Sequence, residues 1–151
     1  MNMLMKSFLA LLFPLVFAHT LSAQGTTAEA SIKKIIENET LAFANADLAA
    51  WSDYFVHEPY VRWSVSPAMY FDGWNALYNG AKTFLESQQG RKDANALHKI
   101  TRTNWVIHIN GDMAWVKFVQ ATEGDPGASQ QFRVLELVNG KWKISMLAAV
   151  Q

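Results

Sequence analysis

Hydrophobic residues recur at helical spacing over residues 28–46, near the start of the chain. The repeated positions are Ile32, Ile35, Ile36, Phe43 and Ala46. At about 100° per residue they form one apolar stripe, which predicts an amphipathic helix. Glu39 falls in the middle of this stripe, so its side chain is predicted to point toward the protein interior.

Two further helices and a strand are predicted before residue 90. Asp47 is a suitable N-cap for a short helix over about 48–56. Residues 60–66 are rich in β-branched and aromatic side chains and predict a strand. A third helix begins near Trp74 with Asp72 as its cap. Its buried face is predicted from apolar residues at helical spacing: Trp74, Leu77, Tyr78, Ala81, Phe84 and Leu85.

The second half of the chain predicts a sheet. Long β-type runs occupy residues 97–109, 113–123, 130–138 and 141–150. The dipeptides Asn110-Gly111 and Asn139-Gly140 separate the first two runs and the last two, and Asn-Gly is the strongest short signal for a hairpin. The order of elements predicts an α+β fold, with an antiparallel sheet covered by helices on one face.

Hairpin register assigns side chains to the two faces of this sheet. With Asn110-Gly111 as a two-residue loop, Ile107 pairs with Ala114, and the apolar face is predicted to point inward. The inward set is Thr101, Thr103, Trp105, Ile107, Ala114, Val116, Phe118, Gln120, Arg133 and Met146. The outward set is Val106, His108, Met113, Trp115 and Lys117. Because Val106, Met113 and Trp115 are apolar, with His108 beside them, this outer face is predicted to form a homodimer contact.

The first residues have the layout of a secretory signal. Lys6 precedes an apolar run over 8–18, and Leu21-Ser22-Ala23 is a small-residue cleavage site. We expect cleavage after Ala23, a single domain over 24–151, and export to the periplasm or the medium. Intact-mass analysis of the secreted protein tests this, because the mature N-terminus should be Gln24.

Composition narrows the classes of function. The chain has no cysteine, and its 13 Lys and Arg balance 13 Asp and Glu, which favours neither a nucleic acid nor a membrane as partner. His57, His98 and His108 lack the spacing of a metal site, so neither a metal nor another cofactor is predicted. Six tryptophans are many for a small domain, and some are expected to line a cavity or a subunit contact.

Several short motifs resemble the nuclear-transport-factor-two-like (NTF2-like) or SnoaL-like superfamily, which has a cystatin-like α+β fold. They are Ala44-Asn45-Ala46-Asp47, Leu48-Ala49-Ala50-Trp51, Phe71-Asp72-Gly73-Trp74, Asn110-Gly111-Asp112-Met113-Ala114-Trp115-Val116 and Asn139-Gly140-Lys141-Trp142-Lys143-Ile144. The resemblance implies a curved, mostly antiparallel mixed sheet wrapped around three helices to form a cone with an internal pocket. This fold hosts enzymes, binding proteins and assembly modules, so the resemblance implies no single activity.

Polar and aromatic residues predicted near the interior are the candidates for such a pocket. They are Glu39, Trp51, His57, Trp63, Tyr70, Trp74, Tyr78, Thr103, Trp105, Gln120 and Arg133. Glu39 and Arg133 are predicted to meet inside the cone, either as a structural ion pair or as groups that orient a ligand. His57 is either a general base oriented by Asp53 or Glu58, or a cap for the preceding helix.

Three functions remain open on these residues. The first is binding of a small, mostly apolar molecule in an aromatic-lined pocket, without an identifiable catalytic set. The second is a lyase or isomerase in which His57 or Glu39 moves a proton while Arg133 holds negative charge. The third is a homo-oligomeric assembly module with a filled interior.

Overall fold

A computed structural model describes residues 18–65, 69–87 and 96–150, with side chains from residue 27 onward. Most of the predicted signal peptide lies outside the described residues. The predicted cleavage point after Ala23 falls within the first helix, and cleavage there stays a prediction. None of the described helices is both long and apolar enough to cross a membrane.

Three α-helices precede the long strands: α1 (Ala18–Ala44), α2 (Leu48–Ser52) and α3 (Trp74–Ser87). The predicted inward position of Glu39 on α1 is confirmed, since it is buried beside Ile36. Asp47 caps α2 by accepting a hydrogen bond from the backbone N–H of Ala50 at 3.0 Å. The helix is shorter than predicted because Val56 donates its backbone N–H to the carbonyl of Ile144 in the sheet instead.

The start of α3 differs from the predicted cap. Asp72 is the last residue of a strand and forms an ion pair with Arg62 on the neighbouring strand. The carbonyl of Gly73 accepts the first helical bond, from Leu77. Leu77, Ala81 and Leu85 lie on the buried face of the helix, as predicted. Phe84 was also predicted on this face, but it lies at the edge of the stripe and is 43% exposed.

Within the described residues, six strands form one mixed sheet: β1 (Arg62–Val65), β2 (Met69–Asp72), β3 (Ile100–Asn110), β4 (Met113–Thr122), β5 (Ala128–Val138) and β6 (Lys141–Val150). Their order is β2-β1-β6-β5-β4-β3, in which only the β1–β6 pair is parallel. A short 3-10 helix, Ala96–Lys99, leads into β3. The strand β2 was not predicted from the sequence.

One of the two hairpins has its predicted register and the other does not. Val138 pairs with Lys141, so Asn139-Gly140 is the two-residue loop, as predicted. In the other hairpin Asn110 pairs with Met113, so the loop is Gly111-Asp112 and Ile107 faces Val116 rather than Ala114. The loop is held there by a 2.7 Å bond from the backbone N–H of Leu137 to the carbonyl of Asp112. A shift of two residues leaves each side chain on its predicted face.

A bulge in β3 moves side chains to the opposite face of the sheet, and two predictions are wrong because of it. Thr103 pairs with Val119 but Val106 pairs with Lys117, so Asn104 and Trp105 together oppose one residue. Asn104 absorbs the extra residue at a φ of 54°, which asparagine tolerates better than most side chains. Thr101 and Thr103, predicted inward, are therefore exposed, and Arg102 points inward.

A second bulge lies in β6. Leu135 pairs with Ile144 and Val134 with Met146, which leaves Ser145 as the extra residue. Ser145 is buried, and Met146, predicted inward, is exposed on the outer face. The predicted inward position of Arg133 is confirmed, because the extra residue lies in β6 and Arg133 still alternates with the buried Leu135 along β5.

Candidate functional site

Glu39 on α1 is the buried carboxyl of the interior, with only 5% of its surface exposed. Its Oε1 accepts a 2.9 Å hydrogen bond from the indole Nε1 of Trp51 on α2, and its Oε2 lies 3.4 Å from the hydroxyl of Thr40. Burial raises the pKa of Glu39 above its ordinary value of 4.5, and the charge of Arg133 only partly opposes this effect. The carboxyl therefore holds its proton more readily than an exposed glutamate.

Arg133 on β5 is the buried cation, also 5% exposed. Its Nη1 donates to the side-chain Oε1 of Gln131 at 3.0 Å and to the carbonyl of Phe132 at 2.9 Å. Gln131 in turn donates to the hydroxyl of Ser129 at 2.7 Å. Burial lowers the pKa of Arg133 to about 10, so the guanidinium stays charged near neutral pH.

Glu39 and Arg133 do not form the direct ion pair that the sequence predicts. Among the described residues no ion pair within 4.0 Å joins them, although each influences the pKa of the other. The carboxylate is bonded to Trp51, and the guanidinium is bonded along its own strand, to Gln131 and Phe132. Predicting the face of each side chain correctly did not fix the distance between them.

A second guanidinium reaches the same interior because of the bulge in β3. Arg102 donates from Nε to Gln120 at 2.9 Å and from Nη2 to the hydroxyl of Thr40 at 2.8 Å. The guanidinium carbons of Arg102 and Arg133 lie 5.7 Å and 5.5 Å from the centre of the Phe118 ring. Two cations therefore share one ring, and the charge of Arg102 adds to the lowering of the pKa of Arg133.

Two buried N–H donors in this interior lack an acceptor. Neither Nε1 of Trp63 nor Nε of Arg133 has a hydrogen-bond partner among the described residues. Trp63 on β1 and Arg133 on β5 both pair with Leu147 of β6, so they lie in one row across the inner face. Since neighbouring strands are about 4.8 Å apart, the two Cα atoms are separated by roughly 10 Å.

Aromatic rings surround the polar groups. Phe43 of α1 lies 6.1 Å from both Trp51 and Trp63, and Trp63 stacks on Phe71 of β2 at 5.6 Å. Gly80 of α3 permits this stack, because a Cβ at Gly80 would overlap the Phe71 ring. The interior is thus a set of fixed rings with a few polar groups among them, which is the usual make-up of a site for an organic ligand.

Several predicted pocket residues lie elsewhere. Tyr70 pairs with Ser64 on the outer face and is 63% exposed, and Thr103 is also exposed. His57 is exposed, stacks on Trp74 with centroids 4.1 Å apart, and lies 2.9 Å from the carbonyl of Ser52 through Nε2. That contact agrees with the interpretation of His57 as a helix cap, and the ring lies outside the interior.

The remaining candidates lie at the edges of the interior. Trp74 and Tyr78 are half-buried on α3 and contact each other at 5.5 Å. Trp105 stacks on Phe118 at 4.3 Å beneath the ammonium group of Lys33. Gln120 is bound by Arg102.

Sequence reasoning missed Arg102 and Gln131. Alternation along β5 places Gln131 on the same face as Arg133, so the pattern that found Arg133 also signals Gln131. Arg102 has no such signal, since simple alternation puts it on the outer face. Its one clue is Asn104, a residue type that favours the positive φ of a bulge.

An open groove of about 870 Å³ lies apart from this interior, between α1, α2 and the β5–β6 hairpin. Lys34, Asp53 and Lys141 are exposed along it. Among the described residues no group of three or more His, Cys, Asp or Glu side chains is placed to hold a metal ion. Burial and hydrogen-bond donors without partners among the described residues therefore distinguish the interior from this groove.

Comparison with known proteins identifies the fold. No family model matches the chain, and no curated protein is significantly similar to it. A protein from Novosphingobium aromaticivorans, provisionally called a scytalone dehydratase, superposes with a TM-score of 0.62 at 16% identity over 85% of this chain and 86% of that one. An NTF2-like protein of unknown function from Pseudomonas putida gives 0.62 at 16% identity over 82% and 86%.

A cystatin-like fold protein from Burkholderia xenovorans gives a TM-score of 0.58 at 17% identity, over 80% of this chain and 88% of that chain. Identities this low carry information on fold alone. The chain has the NTF2-like, cystatin-like α+β cone, as the sequence motifs implied.

Proposed function

We propose that this cone binds a small, largely apolar molecule between its inner sheet face and its helices. The observation that carries the proposal is a pair of buried donors, Trp63 Nε1 and Arg133 Nε, that have no acceptor in the part of the chain that the structure describes. They lie in an interior walled by aromatic rings. Buried polar groups in native proteins are almost always hydrogen-bonded, because an unmet donor costs about 1–3 kcal/mol. A bound molecule that accepts from them removes that cost.

An assembly module with a filled interior fits these groups less well. A core that serves packing alone gains nothing from two guanidiniums and a carboxyl whose desolvation must be offset. The export predicted from the N-terminal residues would place the bound molecule outside the cytoplasm.

A lyase or isomerase is the second candidate. Its support is the raised pKa of Glu39, which suits a group that donates a proton, together with Arg133 near enough to influence it. His57 has no part in this candidate because it caps α2 on the outside. The dehydratase names given provisionally to some structural neighbours belong to those proteins.

Binding of a neutral apolar probe tests the proposal. N-phenyl-1-naphthylamine should bind the wild-type protein with one-to-one stoichiometry and change its tryptophan fluorescence. The matched variants are Trp63→Phe, on the inner face, and Trp115→Phe, on the outer face. We expect Trp63→Phe to lose a large part of the fluorescence change and Trp115→Phe to keep it.

Native mass spectrometry of protein purified from its source provides an independent test. A retained mass beyond that of the polypeptide supports the proposal. If no retained mass is found and the probe leaves every tryptophan unchanged, the interior is filled and the assembly interpretation replaces binding.

A further inference from the structure

The two guanidiniums of the interior differ in their nearest partners. Arg133 and Arg102 both lie within 6 Å of the centre of the Phe118 ring. The charge of Glu39 acts on both cations, although no ion pair within 4.0 Å joins Glu39 to either of them among the described residues. Glu37, which is half-buried, favours the charged form of Arg102 from the rim.

Buried charges in proteins are normally paired, and the direct partners of Arg133 are neutral. Its Nη1 donates to an amide oxygen of Gln131 and a backbone carbonyl, and its Nε has no acceptor among the described residues. A guanidinium that is bonded only to neutral oxygens keeps most of its desolvation cost. Arg133 Nε is therefore a donor at which an anionic acceptor would be favourable.

The second unmet donor indicates where such an acceptor would lie. Trp63 and Arg133 flank Leu147 in one row of the inner face, and each presents a buried N–H without an acceptor. Both side chains rise from the same face, so both N–H groups lie on the inner side of the sheet, with roughly 10 Å between the two Cα atoms.

We infer, on the basis of the interior binding proposed above, that the ligand carries a carboxylate on an apolar, ring-sized body, and that its oxygens accept from Arg133 Nε and Trp63 Nε1. A carboxylate has two oxygens, one for each donor, and a single negative charge that suits the guanidinium of Arg133. The body lies against Phe43, Trp51 and the Trp63–Phe71 stack, where rings offer apolar contact. Trp63 and Arg133 are then the residues that determine specificity for the anion.

Matched pairs of probes test the inference. Benzoate and 1-naphthoate are titrated by isothermal calorimetry at pH 7.5 against their neutral amides, benzamide and 1-naphthamide. We expect each carboxylate to bind at least about tenfold more tightly than its amide, since hydrogen bonds to charged groups are stronger than those between neutral groups. Equal binding of acid and amide would overturn the inference.

Three variants locate the contact. Trp63→Phe keeps the ring and removes the N–H, and it should weaken binding of the carboxylates about tenfold. Arg133→Met should weaken it by about 30-fold or more, because a buried charged partner is lost. Arg62→Met, which removes a guanidinium bound to Asp72 on the outer side, should leave the affinity unchanged and serves as the control. Circular dichroism and thermal melts verify that each variant is folded.

The neutral probe N-phenyl-1-naphthylamine separates failure of this inference from failure of the proposed function. If it binds while carboxylates gain nothing over amides, the interior is a binding site without an anion subsite. If neither class of probe binds the wild-type protein, the proposed function is wrong and the inference is wrong with it. Should Arg133→Met not fold, Trp63→Phe alone decides, because loss of one N–H leaves the packing in place.

Discussion

Each face of the sheet contains some residues whose polarity is opposite to the one usual for that face. The inner face and the helices that cover it bury Glu39, Arg133 and Gln131, whereas the outer face exposes large apolar side chains. The exposed apolar residues of this outer face are Val106, Met113, Trp115, Phe132, Met146 and Val150. Both faces carry a free-energy cost unless another molecule covers them or binds to them. On the inner face the cost comes from buried charges and unmet hydrogen bonds, and on the outer face it comes from exposed apolar area.

We propose a different kind of partner for each face. Polar groups in an interior walled by rings suit a small molecule that they can hydrogen-bond. A broad apolar face of a two-sided sheet suits a flat protein surface, and a second copy of the chain is our prediction for it. The four predictions below separate the faces, in order of expected effect.

A pair of phenylalanines on adjacent strands measures how enclosed each face is. Phe118 is fully buried against Trp105 and the two guanidiniums, and Phe132 is exposed on the outer face. Denaturant melts of Phe118→Ala should show a loss of about 3–5 kcal/mol, the range for a large cavity. Phe132→Ala should cost about 1 kcal/mol or less. Equal losses would mean that the outer face is as enclosed as the inner one in solution.

Trp115 on the outer face tests the predicted dimer. It is 46% exposed and stacks on His108 at 5.8 Å. Trp115→Glu should raise the dissociation constant of a dimer by about 30-fold or more, the effect of losing a central aromatic contact. Sedimentation over a range of concentrations measures it. Asn75→Glu, which adds the same charge to exposed α3, is the control, and a monomeric wild type at high concentration would refute the dimer.

Glu39 makes the stability of the protein depend on pH. Arg133 from β5, Arg102 from β3, Trp51 from α2 and Thr40 of its own helix act on this carboxyl. Because its pKa is higher in the folded state than the ordinary 4.5, the folded protein holds a proton that the unfolded chain has released over the interval between the two values. Stability therefore falls as pH rises through that interval and levels off above the folded pKa.

The variant Glu39→Gln should remove this decline, because its amide has no proton to lose and still offers an oxygen to Trp51. At pH 8 we expect it to be more stable than the wild type by about 1–2 kcal/mol, in the range reported for neutral replacements of buried ions. Below pH 4.5 the two proteins should be nearly equal. If the free energies of unfolding of the two proteins changed in parallel with pH across this range, the raised pKa of Glu39 would be contradicted.

Coupling between Glu39 and Arg133 is the smallest effect. They influence each other without touching, so a double-mutant cycle with Glu39→Gln and Arg133→Met should give a coupling free energy of about 1 kcal/mol at pH 8. The coupling should disappear at low pH, where Glu39 is neutral. A coupling of several kcal/mol would indicate the direct ion pair that the sequence predicted and the structure lacks.

Periodicity was enough to predict much of the fold. The stripe that contains Ile32 and Ile36 correctly turned Glu39 inward, and the Asn139-Gly140 hairpin correctly turned Arg133 inward. Both signals are local, because a helical period or a two-residue turn is set by a few neighbouring residues. The α+β class follows from the order of such elements.

The parts that could not be predicted depend on single irregular residues or on distance. The bulges at Asn104 and Ser145 put Arg102 inside and Met146 outside, against simple alternation. Periodicity also predicts which face a side chain lies on but not its distance from another side chain. It therefore did not reveal that Glu39 and Arg133 lie too far apart for an ion pair. The unmet N–H of Trp63 depends on every group around it and has no signature in the sequence.

The bulge at Asn104 sets the register of the first part of β3. With the bulge Arg102 faces inward, whereas a flat strand, one residue out of step, would place Thr103 there instead. Asn104 is exposed and permits the bulge through its positive φ, a conformation that a β-branched residue such as valine resists. We therefore expect a solvent-facing residue to decide whether the interior contains a guanidinium or a hydroxyl, so a substitution at the surface would change the chemistry of the interior.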